Sequence, residues 1–124
     1  MSTPTETIQA FTSALTAGDV DTALGFYEPD AVFQAVPGAP AISGGPAIRQ
    51  ALEGFAALNP TMTNDVAKVH EAGDIALMVI RWQLRGTAAD GQPVEMGGTS
   101  ADVLRRRDGG GWGILVDDPW GGAS

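Results

Sequence analysis

The apolar residues of this chain change their spacing once, and that change narrows the open folds more than anything else in the sequence. Up to Asn59-Pro60 they recur every three or four positions, as on one face of a helix; beyond Thr61 they alternate, as on one face of a strand. Thr3-Pro4-Thr5-Glu6 is a capping box with proline at the first helical position, and Ile8, Phe11 and Leu15 follow at helical spacing. This predicts a helix over 4–17, stopped by Gly18. Asp19 then caps a short second helix with Val20, Ala23, Leu24 and Tyr27 on one face, ended by Glu28-Pro29-Asp30. Residues 31–36 read as a strand and 37–45 as a loop at the rim of a pocket. Pro46 opens a third helix carrying Ile48, Leu52 and Phe55, closed by Asn59-Pro60 because the residue before proline avoids helical geometry.

The alternating half divides into strands over 63–71, 74–87, 92–107 and 112–118. The breaks, Ala72-Gly73-Asp74, Ala89-Asp90-Gly91 and Asp108-Gly109-Gly110-Gly111, carry hairpin chemistry and are too short for crossover connections. Consecutive strands therefore pair antiparallel. The expected fold class is α+β, one domain over 1–124, with three N-terminal helices packed on a strongly curved, mostly antiparallel sheet around a cone-shaped pocket. Its core is of ordinary size for 124 residues that are 44% hydrophobic.

Charge and composition exclude several partners. Seven Lys+Arg against 15 Asp+Glu give a net charge of −8, which repels nucleic acid and anionic lipid. The basic run Arg105-Arg106-Arg107 reads as the solvated end of a hairpin. Without cysteine there is no thiolate chemistry, and the lone His70 lacks the companions of a metal site, so no cofactor is expected. Neither a signal peptide nor a membrane span is apparent, which predicts a cytoplasmic protein. Gly44-Gly45-Pro46 reads as a turn into the third helix and lacks the Lys-Ser/Thr of a phosphate loop.

Over nearly its whole length the chain resembles the nuclear transport factor 2-like superfamily, in its SnoaL-like and ketosteroid isomerase-like branch. The resemblance is carried by Ala17-Gly18-Asp19-Val20-Asp21, by Pro29-Asp30-Ala31-Val32-Phe33, by 44–52, and by the closing Trp112-Gly113-Ile114-Leu115-Val116-Asp117-Asp118-Pro119-Trp120-Gly121. It implies a cone-shaped α+β roll with a small-molecule cavity, often dimeric through the outer sheet face. The activities it implies range over isomerases, polyketide cyclases, epoxide hydrolases, dehydratases and catalytically silent modules, so only the pocket residues discriminate.

Steroid isomerisation needs a carboxylate base, a tyrosine hydroxyl and a protonated aspartic acid. In this resemblance Phe11 stands in place of the tyrosine and Ala35 near the place of the base, while Asp102 occupies the position of the acid. Two missing groups of three speak against that reaction. The epoxide hydrolase members need an aspartate–arginine–aspartate set, and alternation puts Arg81 on the face opposite Trp82, outside the pocket.

If Asp102 faces the cavity, alternation brings Ser100 with it, and the same resemblance implies that Met78, Ile80 and Trp82 line the neighbouring strand. The last strand adds Val116, Asp118 and Trp120, and the first helix Phe11, while Asp117 points outward. The predicted site is an apolar cup with Asp102 and Asp118 as its acids. Two readings of them stay open: paired acid–base chemistry on a small apolar ligand, as in a cofactor-independent isomerase, cyclase or lyase, or purely structural roles in a non-catalytic dimeric ligand-sensing or protein-interaction module. In the second, Asp118 caps the Pro119-Trp120-Gly121 turn and Asp102 satisfies backbone donors. Apolar residues on both sheet faces, among them Val79, Val103 and Leu115, predict a homodimer through the outer face.

Overall fold

Local chemistry sets the helices. In the computed structural model, which describes residues 3–121, the capping box closes: Thr3 N–H donates to Glu6 Oε1 at 2.9 Å and Glu6 N–H to Thr3 Oγ1 at 3.1 Å. Helix α1 (Pro4–Thr16) follows and buries Ile8, Ala14 and Leu15. The Asp19 carboxylate accepts Thr22 N–H at 3.2 Å and starts α2 (Val20–Gly25). Gly44, at φ 88°, turns the chain into α3 (Gly45–Ala56), which buries Ile48 and Leu52.

Between α2 and α3 the chain departs from expectation. Tyr27 does not extend the second helix but begins strand β1 (Tyr27–Phe33), which takes in Glu28-Pro29-Asp30. A proline fits there because pairing with the last strand is interrupted between Tyr27 and Val32, so no ladder donor is missed at Pro29. The predicted loop holds the short β2 (Ile42–Ser43).

Strands β3 (Thr61–Ala72), β4 (Ile75–Thr87), β5 (Pro93–Arg106) and β6 (Trp112–Asp118) form the expected antiparallel meander. Gly73 and Gly91 take the positive φ that the first two hairpins require, 60° and 86°. The sheet order is β2-β1-β6-β5-β4-β3, with β1 parallel to β6, and the sheet curls without closing. Its inner face meets the helices over a core that includes Phe33, Leu52, Met78, Leu104 and Ile114. The chain thus has the α+β architecture that its hydrophobic periods predict.

The arginine run is not simply solvated. Arg105 and Arg107 both donate to Glu28, at 3.1 and 2.8 Å, and Arg107 also donates to the carbonyls of Gly25 and Tyr27. Arg106 lies over the Trp112 ring at 4.4 Å. These contacts pin the β5–β6 hairpin to the start of β1.

One irregularity decides what the last strand presents to the interior. Leu104 pairs with Ile114, but Val103 pairs with Val116, so Leu115 is an extra residue in β6. Such a bulge reverses the alternation beyond it.

Candidate functional site

A cavity of about 80 Å³ lies between α1, α3 and the inner face of the sheet. Ile8, Leu15, Leu52, Ile80, Leu84 and Ile114 make most of its apolar wall. Aromatic rings complete it: Phe11 meets Tyr27 edge-on at 5.6 Å, Tyr27 lies 6.0 Å from Phe33, and Trp82 meets Trp120 edge-on at 5.2 Å. The half-buried Phe11, Thr12, Met62, Asn64 and Trp120 also line it, and Asn64 Nδ2 donates to Thr12 Oγ1 at 2.6 Å.

Its polar end is built by three neighbouring strands. Asp102 and Asp117 are directly paired across β5 and β6, and Phe33 of β1 pairs with Asp117 on the other side. All three line the cavity. Asp102 is 5% exposed, and its Oδ1 accepts the Asp118 N–H at 3.1 Å. The Tyr27 hydroxyl donates to Asp117 Oδ2 at 2.5 Å. Ser100 Oγ is 3.5 Å from Asp102 Oδ2, at the outer limit of a hydrogen bond.

Burial pushes the Asp102 carboxyl well above the ordinary carboxylate range, and the charge of Asp117 pushes it further. Burial also raises Asp117, against the hydrogen bonds from Tyr27 and Asp102, which stabilise its ionised form. Like charges facing each other across a ladder are unfavourable. Joint ionisation of the pair is therefore disfavoured, and the hydrogen bonds to Asp117 make Asp102 the member that more readily keeps a proton. Tyr27 is held in the phenol form, its ionisation pushed well above the usual range by burial and then by Asp117.

The structure brings Phe11, Ile80, Trp82, Ser100, Asp102 and Trp120 to one cavity. It does not bring Met78, Val116 or Asp118 there. Met78 is fully buried and packs in the core beside the cavity. Val116 falls beyond the bulge and joins a row across the outer face, Leu77–Val103–Val116–Val32. The same reversal corrects the two last-strand acids: Asp117 turns inward and Asp118 outward. Asp118 Oδ1 accepts the Trp120 N–H at 3.3 Å and so caps the turn that follows.

Tyr27 escapes a reading by period because its segment resembles a helix. Its one signal is that it is the only tyrosine of the chain. Arg81 lies outside the pocket, paired with Asp65 at 2.9 Å. Trp82 Nε1 donates to the Pro119 carbonyl at 2.8 Å. Trp120 Nε1 is buried and meets no acceptor among the described residues, the kind of orphan donor that a ligand or water satisfies. No group of three or more metal-ligating side chains occurs among the described residues, and no helix among them is long and apolar enough to cross a membrane.

Residues 8–112 match the family model of the SnoaL-like domain. Among curated proteins none matches the chain. Among solved structures, a conserved protein of Planctomyces limnophilus superposes with a TM-score of 0.81 at 15% identity, over 90% of this chain and 88% of the other. A ketosteroid isomerase-like protein of Erwinia carotovora atroseptica gives 0.76 at 20% identity, over 90% and 88%. An NTF-2 like protein of unknown function from Shewanella oneidensis gives 0.74 at 14% identity, over 91% and 92%. At these identities the likeness is one of fold.

Proposed function

Because the chain belongs to the SnoaL-like domain family, whose fold sets a cavity between helices and sheet, we propose that this cavity binds a small, predominantly apolar molecule and exchanges protons with it. The observation that carries the reading is the pairing of Asp102 with Asp117 across β5 and β6, in an apolar wall and with the Tyr27 hydroxyl on Asp117. A pair that shares one proton has a base and an acid side by side. The ionised member takes a proton from an acidified position of the ligand, and the protonated member returns one elsewhere. Isomerisation, cyclisation and elimination of water all need only that, without a cofactor. The acid pair is thus Asp102 and Asp117, with Asp118 outside it.

Cyclohexenone, a small apolar ring with acidified C–H bonds, tests both parts. In amide and indole NMR spectra it should shift Trp82 and Trp120, and in heavy water the protein should speed its deuteration, with Asp117→Asn slower by about 100-fold, the usual reach of one acid–base group. Shifts confined to the outer face would overturn the binding reading. Binding without any Asp117-dependent deuteration would overturn the proton exchange and favour the non-catalytic sensing module.

The same proposal includes a homodimer. The row Leu77–Val103–Val116–Val32 crosses four strands on the outer face, and its ends, Leu77 and Val32, are 40% and 39% exposed. A continuous apolar row of this kind is what a second copy would cover.

A further inference from the structure

The ionisable side chains that line the cavity are two carboxyls and a phenol; none of its described lining residues is Lys, Arg or His. Six aromatic side chains share the wall: Phe11, Tyr27, Phe33, Phe55, Trp82 and Trp120. A charge on either carboxyl has no counter-cation within this wall, an arrangement that burial makes costly unless something positive faces it.

An inventory of donors and acceptors points the same way. Tyr27 spends its one proton on Asp117 Oδ2. Asp102 Oδ1 takes the Asp118 N–H, while Oδ2 has only the long Ser100 contact. Four carboxyl oxygens with about two lone pairs each meet three protein donors, the Tyr27 hydroxyl, the Ser100 hydroxyl and the Asp118 N–H. The carboxyl end of the cavity therefore has acceptors in excess.

We infer that the ligand of this cavity is a small protonated amine, its ammonium group on Asp102 and Asp117 and its apolar part against the aromatic wall. The aromatic faces attract a cation as well as a hydrocarbon, and the carboxyls supply the counter-charge that a neutral ligand leaves unmet. An anionic ligand would meet a buried negative charge and no cation. The inference rests on the cavity being a ligand site and adds the class of ligand.

Matched pairs of one shape separate charge from size: isobutylamine against isobutanol, and benzylamine against benzyl alcohol, each titrated into the full chain at neutral pH and followed by the indole NMR signals of Trp82 and Trp120. The amine of each pair should bind at least about tenfold tighter than its alcohol, through ion pairing and cation–π attraction together. Asp117→Asn should level the two, Asp102→Asn should reduce the preference, and Asp118→Asn, outside the cavity, should keep it. Should Asp117→Asn not fold, Asp102→Asn carries the test. An alcohol that binds as tightly as its amine, or a preference that survives both cavity variants, overturns the amine and leaves the cavity reading standing. If no member of either pair moves the two indoles, the cavity reading falls and the amine with it.

Discussion

Replacing Tyr27 by Phe removes one oxygen from the site and little else. The ring keeps its edge-on contact with Phe11 at 5.6 Å and its neighbour Phe33 at 6.0 Å, so the change isolates the 2.5 Å hydrogen bond to Asp117. A hydrogen bond to a charged group contributes about 1.5–3 kcal/mol, a neutral one about 0.5–1.5. With Asp117 ionised, as the proposed proton exchange requires, Tyr27→Phe should therefore lose about 1.5–3 kcal/mol near pH 8. With a urea slope of about 1.5 kcal/mol/M, the midpoint falls by about 1–2 M. In heating, at about 3–5 °C per kcal/mol for a chain of this length, Tm falls by about 5–15 °C. Near pH 3, with Asp117 protonated, the loss should shrink to the neutral value. A double-mutant cycle with Asp117→Asn assigns the difference to the pair. Equal losses at both pH values, or a loss below about 0.5 kcal/mol near pH 8, would refute an ionised Asp117 held by Tyr27. Because this is the only tyrosine, tyrosinate absorbance reads it alone, and the wild type should ionise well above pH 10.0.

The raised carboxyl of Asp102 has its own pH signature. A group whose folded-state pKa lies above its unfolded value contributes stability that is complete below the ordinary carboxyl value of 3.8 and is lost as pH climbs through the raised one. Denaturation at a series of pH values should show wild-type stability falling with pH above that value, and Asp102→Asn should flatten the slope; an unchanged slope removes Asp102 as its source. Gly113→Ala would drive a methyl into the Glu28 carboxylate and to 2.6 Å from Arg107 Nε, so overpacking should cost about 1–3 kcal/mol, and a neutral result in urea would show that the clamp yields freely. Sedimentation at micromolar concentration should show a dimer that Leu77→Asp or Val32→Asp converts to monomer, and a wild-type monomer would end the proposal of a covered outer face.

The parts of the site that period two reveals are those on strands without interruption. Strands β4 and β5 pair without a break from Ile75–Arg105 to Thr87–Pro93, so counting by two from Asp102 finds Ser100, and counting along the neighbouring strand finds Ile80 and Trp82. In β6 the same count fails after Ile114. The bulge at Leu115 adds one residue, and nothing in the run Ile114-Leu115-Val116 distinguishes the extra position by polarity, since all three are apolar. Tyr27 is hidden for a related reason. It shares helical spacing with Val20, Ala23 and Leu24, and the proline two residues later reads as the end of a helix, whereas the parallel pairing of Tyr27 with Ile114 is a long-range contact that no local pattern encodes. Both failures fall on the acid cluster itself. The bulge that reverses β6 is also what sets Asp117 opposite Asp102, and the irregular pairing of β1 spans the stretch between Tyr27 and Val32. A regular strand in the register of Ile114 would have offered the cavity Val116 and Asp118, with Asp117 on the outer face away from both Tyr27 and Asp102. The backbone irregularity that defeats alternation is thus the device that assembles the two carboxyls and the phenol.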